Sequence, residues 1–111
     1  MKYRVRIEDH FDAAHYIPGH PKCMQLHGHT WMVEVFFVRD KLDERGISLD
    51  FNLAKIELAS LLADKYDHKN LEGKSAEQIA EEIYHSFKNS GFPVEKVRVW
   101  EGEGKYVEVF E

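Results

Sequence analysis

Cysteine is nearly absent: the chain has one, Cys23, in 111 residues. That excludes an intramolecular disulfide and every zinc site assembled from paired cysteines, and it leaves Cys23 as a buried small hydrophobe, an inert surface thiol or a reactive one. Prolines number three, and no repeat, low-complexity stretch or linker interrupts the chain, so residues 1–111 are expected to form a single domain. Long apolar runs are missing too. The N-terminal MKYRVRIEDH alternates charged and apolar residues, which fits neither a signal-peptide core nor a bilayer span, and a cytoplasmic protein with no membrane partner is expected. Basic residues are not in excess: 15 Lys and Arg stand against 20 Asp and Glu, for a formal net charge of −5. They are scattered rather than gathered into a phosphate-neutralising stripe, so nucleic acid is not an expected partner.

What is present describes a folded protein, with 43% hydrophobic and 32% charged residues. From Tyr3 the odd positions run Tyr3, Val5, Ile7, Phe11, Ala13 and then His15, with charge between them; this period of two predicts a half-buried strand. A second strand is expected from about His29 to Arg39, with Trp31, Val33, Val35 and Phe37 on one face and Glu34 among apolar residues on the other. Gly28, between His27 and His29, could bend the chain and spoil the alternation. The period then lengthens. Ile56, Ala59, Leu62, Ala63 and Tyr66 predict the buried stripe of one helix, and Ala76, Ile79, Ala80, Ile83 and Phe87 that of a second, opened by a Ser75–Gln78 capping box. Two further strands, VEKVRVWE and YVEVFE, flank a turn at GEGK. The order strand-strand-helix-helix-strand-strand predicts an α+β fold: an antiparallel four-stranded sheet with two helices on one face.

Four of the seven histidines, His15, His20, His27 and His29, fall within fifteen residues. His27 and His29 share a strand face, and His15 ends the apolar face of the preceding strand. Three imidazoles converging from two strands would make a tris-histidine zinc site with its fourth position open. Hydrogen-bonded loop histidines account for a lone His-x-His motif at least as well, and the zinc-protease motif His-Glu-x-x-His is absent. Asp67 and His68 follow the first helix, where such a pair often serves only as a cap. Glu101 shares its parity with Val97 and Val99, so it is either a carboxylate aimed into the core, in need of a partner, or a strand end that has reached solvent.

Taken together these segments resemble the family of 6-pyruvoyl-tetrahydropterin and 6-carboxy-tetrahydropterin synthases. FDAAH at 11–15, CMQLHGH at 23–29, YDHKNL at 66–71, SAEQIA at 75–80 and Glu101 are similar to its motifs, in order and over nearly the whole chain. Three residues between Cys23 and His27 look like the 6-carboxy branch of the 7-deazaguanine (queuosine-type) route, whereas the animal pyruvoyl enzymes carry a longer insertion. A branch that cleaves the side chain to a hydroxymethyl product has glutamate in place of the cysteine. Two positions depart from the pattern: Ala76 follows Ser75 where the family often has a second hydroxyl residue, and Gly102 stands where a threonine often follows the glutamate.

The resemblance implies a zinc-dependent lyase that converts 7,8-dihydroneopterin triphosphate to 6-carboxy-tetrahydropterin, with loss of triphosphate and acetaldehyde. The sister activity is 6-pyruvoyl-tetrahydropterin synthesis, and a non-enzymatic zinc-stabilised binding module is the competing class. His15, His27 and His29 would hold Zn2+. Cys23 would act as catalytic base, Asp67 and His68 as a proton shuttle, and Glu101 with Ser75 as pterin-binding groups. Lys22, Lys69, Lys74 and Lys105 are candidates for the triphosphate. The family's tunnelling fold further implies homo-oligomers, with trimers closing a twelve-stranded barrel and often stacking as hexamers. Active sites would then lie at subunit interfaces, and Glu101 could serve a site whose zinc belongs to a neighbouring chain.

Overall fold

The computed structural model describes residues 1–21 and 24–111. Its elements come in the expected order: β1 (Tyr3–His15), β2 (His27–Arg39), α1 (Phe51–Lys65), α2 (Ala76–Asn89), β3 (Val94–Glu101) and β4 (Tyr106–Phe110). The four strands form one sheet in sequence order, each antiparallel to the next. β2 begins at His27, earlier than expected, because Gly28 pairs regularly opposite Ala14 and the alternation runs through it. The sheet also departs from a purely antiparallel one. The segment after α1 lies along the outer edge of β1 and adds a parallel bridge between Ala14 and Asn70, so a short fifth participant makes that edge mixed.

Both helices cover the same face. Ile7, Phe11, Trp31, Val33, Val35, Phe37, Val97 and Val99 from the sheet share one buried cluster with Ala54, Leu58 and Leu62 of α1 and with Ile79, Ile83 and Phe87 of α2. The α2 stripe is the expected one, and its capping box is present in full: the Gln78 amide donates to Ser75 Oγ, and the Ser75 amide donates back to Gln78 Oε1. The α1 stripe is not. Leu62 and Tyr66 are buried as expected, but their companions are Ala54 and Leu58, while Ile56 is 67% exposed and Ala59 and Ala63 face outward. Apolar residues surround most of this helix, so period alone does not choose a face. The contact of the Tyr66 ring with Phe11, at 5.4 Å between centroids, accompanies the face that is buried.

The other face of the sheet carries a buried charge. Glu34 is 4% exposed and accepts hydrogen bonds from the Arg6 guanidinium and the Trp100 indole. Burial pushes this carboxyl up, but the bonds from Arg6 and Trp100, together with the charges of Arg6 and Arg98, outweigh it and hold the group below the usual carboxylate range. A depressed carboxyl contributes stability that is fully present above its unfolded pKa, about 4.3, and is lost as the pH falls through the folded value. Unfolding of Glu34→Gln in urea, followed from about pH 7 down to about pH 3, should therefore show a shallower acid loss than the parent. Parallel curves would mean that this carboxylate is not coupled to folding.

Candidate metal and catalytic site

The antiparallel register sets the site. His15 pairs with His27, Ala13 with His29 and Phe11 with Trp31, so the odd positions of β1 and β2 send their side chains to the helix-covered face at one end of the sheet. β3 reaches only as far as Trp31, its partner there being Glu101. The histidines therefore sit on a two-stranded overhang, with Glu101 at its base. Trp31 forms the floor, fully buried, with its indole donating to the Ala13 carbonyl at 3.2 Å and its ring 4.8 Å from that of His15 and 5.4 Å from that of His29.

The three imidazoles crowd one another, with centroids 4.5 to 5.3 Å apart. Their orientation is chemically informative. His15 Nδ1 lies 2.8 Å from the Lys74 carbonyl and His27 Nδ1 lies 2.8 Å from the Gln25 carbonyl. A carbonyl only accepts, so each Nδ1 carries the proton and each Nε2 of the neutral ring presents a bare lone pair. Those Nε2 atoms converge on Glu101 Oε1 at 3.6 Å from His15, 3.9 Å from His27 and 3.1 Å from His29. Among the described residues this is the group able to hold a metal ion, its four ligand atoms all lying within 4.8 Å of one another. Within the same residues, His15 Nε2 and His29 Nε2 are the buried side-chain nitrogens that lack a hydrogen-bond partner. Orphaned lone pairs facing a carboxylate are costly unless a cation joins them. The donor set thus fits a divalent ion that accepts nitrogen and oxygen ligands. Burial holds His29 below the usual imidazole range against the pull of Glu101, and His27, His15 and Lys105 act in the same direction as burial. A neutral ring is the form that ligates.

Glu101 therefore lies beside the histidine cluster of its own chain. Beside it a cavity of ≈120 Å³ is bounded by Ala76, Glu77, Lys105 and Tyr106. Gly102 follows with φ +73, a left-handed backbone that glycine adopts freely and a β-branched residue only under strain. A separate shallow hollow is shared by His29, Thr30, His68 and Lys69. His68 itself has φ +57, the one non-glycine residue in that region among those described. Its amide donates to the Asp12 carbonyl at 2.7 Å, and the Asp12 amide donates to Asp67 Oδ1 at 3.0 Å. The pair is thus clamped to β1 while the His68 ring stays exposed, 3.7 Å from Asp67 Oδ2.

Ser75 caps α2 next to Ala76, and its hydroxyl is engaged with Gln78. Cys23 and Lys22 lie outside the described residues. Lys74 is paired with Glu82, whereas Lys69 borders the hollow beside His29 and Lys105 the cavity beside Glu101. His20 lies beyond the end of β1 and is not part of the cluster. The Lys74 and Gln25 carbonyls that orient the ligands carried no signal in the sequence, because every residue has a carbonyl.

The chain belongs to the 6-pyruvoyl tetrahydropterin synthase family, whose model matches residues 4–111. It is 37% identical over 109 residues to a putative 6-carboxy-5,6,7,8-tetrahydropterin synthase of Archaeoglobus fulgidus, which spans 95% of this chain and 93% of that protein. It is 34% identical over 94 residues to the 6-carboxy-5,6,7,8-tetrahydropterin synthase of Synechocystis sp., covering 75% and 73% of the two chains. The structure of Caenorhabditis elegans 6-pyruvoyl tetrahydropterin synthase superposes with a TM-score of 0.86 over all of this chain and 96% of that one, at 21% identity, which establishes likeness of fold. Among the described residues no helix is long and apolar enough to cross a membrane.

If the cluster binds an ion in the folded state only, zinc or cobalt at about 100 times its dissociation constant should stabilise the protein by about 2.7 kcal/mol. Thermal unfolding should show the rise, a chelator should reverse it, and His29→Ala should abolish it. An equal rise in His29→Ala would remove this histidine from the ligand set.

Proposed function

We propose that the chain is a zinc-dependent 6-carboxy-tetrahydropterin synthase. Its reaction would be that of 7,8-dihydroneopterin triphosphate with water, giving 6-carboxy-tetrahydropterin, triphosphate and acetaldehyde. The reaction is redox-neutral overall, the pterin ring being reduced as its side chain is oxidised. The observation that carries the reading is the convergence of three histidine Nε2 atoms and one carboxylate at the sheet end, in a chain 37% identical to a relative of that name over nearly its whole length.

His15, His27 and His29 would hold the zinc. Bound there, it supplies Lewis acidity toward the side-chain oxygens and so lowers the barrier to removing the adjacent C–H proton. Cys23, in the segment leading into β2, takes that proton as a thiolate. His68 returns a proton: its exposed ring shares a hollow with His29, and Asp67 stands behind it. Glu101 accepts hydrogen bonds from the N–H edge of the pterin, which would occupy the cavity beside Ala76, and Ser75, the residue before Ala76, would be a further pterin contact. Among the described candidates, Lys69 and Lys105 border the hollows and are better placed for the triphosphate than Lys74, which is already paired.

Among the described residues, the outer edges of β1, before Phe11, and of β4 have no strand beside them. Unpaired edges favour strand addition, and the resemblance makes other copies of the chain the partner, as trimers closing a barrel or stacked hexamers, with sites completed between subunits.

Mass analysis of products from dihydroneopterin triphosphate tests the proposal. 6-Carboxy-tetrahydropterin with acetaldehyde is expected. A 6-pyruvoyl product would move the chain to the sister activity, and no turnover by metal-loaded protein would leave a zinc-stabilised binding module.

Cys23→Ala should keep its metal and assembly but lose about a hundredfold in turnover, the scale of a general base. A rate within about threefold of the parent would exclude that role.

Glu101→Gln should keep its metal and bind a non-hydrolysable pterin more weakly by about 1.5–3 kcal/mol, because an amide offers one acceptor where two are needed. Unchanged affinity by titration calorimetry would remove Glu101 from pterin recognition, and loss of the metal would make it a ligand instead.

A further inference from the structure

One carboxylate outside the histidine cluster reaches toward it along two routes. Glu82, on α2, accepts from the Tyr66 hydroxyl at 2.6 Å, and Lys74 Nζ lies 3.0 Å from Oε1 and 2.9 Å from Oε2. Tyr66 is fully buried and closes α1, so the residues that follow it are Asp67 and His68. Lys74 supplies the carbonyl that accepts from His15 Nδ1 at 2.8 Å. Burial, with the Glu82 hydrogen bond second, pushes the Tyr66 phenol far above its ordinary range, so it remains a donor to Glu82.

We infer that Glu82 is a positioning residue for the metal ligand His15, acting through Lys74. By holding the Lys74 ammonium against α2, it fixes the carbonyl that keeps His15 protonated at Nδ1 and directs Nε2 into the cluster. The same carboxylate, through Tyr66, sets where the Asp67–His68 corner leaves α1. The inference rests on reading the cluster as a metal site.

Exposure separates positioning from simple stabilisation. The Lys74 and Glu82 side chains are 42% and 39% exposed, and ion pairs of that kind contribute little to folding. Glu82→Gln, which still offers Tyr66 an acceptor oxygen, should therefore change metal binding more than it changes stability. Tyr66→Phe, which gives up a buried hydroxyl bond and leaves the Lys74 arm intact, should do the reverse.

The experiment is a cobalt(II) titration of the full chain, read from the d–d absorption and accompanied by thermal unfolding. Partners that orient a ligand directly are worth about 10- to 100-fold in metal affinity, so one step further out Glu82→Gln and Lys74→Met should each weaken cobalt about fivefold and alter the band shape. The double variant should be no weaker than either single one, as expected when both act by one route. Tyr66→Phe should bind within twofold of the parent despite a lower unfolding temperature. Overturning results are a Glu82→Gln protein that binds within twofold of the parent with the same spectrum, or a Tyr66→Phe protein weakened as much as Glu82→Gln. A parent that takes up no cobalt would overturn the metal reading and this inference with it, whereas a binding parent matched by Glu82→Gln overturns this inference alone.

Discussion

A pleated strand can send each residue to only one of two faces, and the site depends on how β1 and β2 use that choice. Pairing His15 with His27 places three imidazoles on the helix-covered side. A slip of one residue would turn His27 and His29 toward the opposite face and expose Trp31, Val33 and Val35 together. The register that buries the core is thus the register that gathers the histidines, and selection for folding and for the site act on the same pairing.

Much of this was legible because period two and period 3.6 are written in side chains. The parity running from Ile7 through Phe11 and Ala13 to His15, and from Val97 through Val99 to Glu101, puts two candidate site side chains at the ends of core-facing rows. The α2 cap was legible for the same reason, since Ser75 and Gln78 are side-chain signals. The buried face of α1 was not. Its ring of Leu, Ile and Ala satisfies several stripes, and the sheet partner Phe11 is not visible from helical period. The presence of Glu101 within its own chain's cluster was equally hidden, because it follows from the β2–β3 pairing at Trp31 rather than from any local pattern.

The loops contribute through their backbones. Leu71 donates to the Ala14 carbonyl at 2.7 Å, and the Ala14 amide donates to the Lys69 carbonyl at 3.1 Å, so the chain leaving α1 is stitched to the overhang that carries the ligands. The left-handed turn at His68 is sustained by this stitching: a backbone that local sterics disfavour persists because its amide has a fixed acceptor on β1. Side chains supply the chemistry here, and main-chain carbonyls supply the aim.

With a single cysteine, the chain cannot staple itself by oxidation. An ion gathered by His15, His27 and His29 would do so by coordination, linking the end of the first strand to the start of the second. In polymer terms it is a reversible cross-link that closes one short loop at the open end of the β1–β2 ribbon. Closing a short loop restricts the unfolded chain less than closing a long one, though the difference grows only logarithmically. The rate at which the ion dissociates would then set how often these two strand ends separate, and so their exposure to proteolysis.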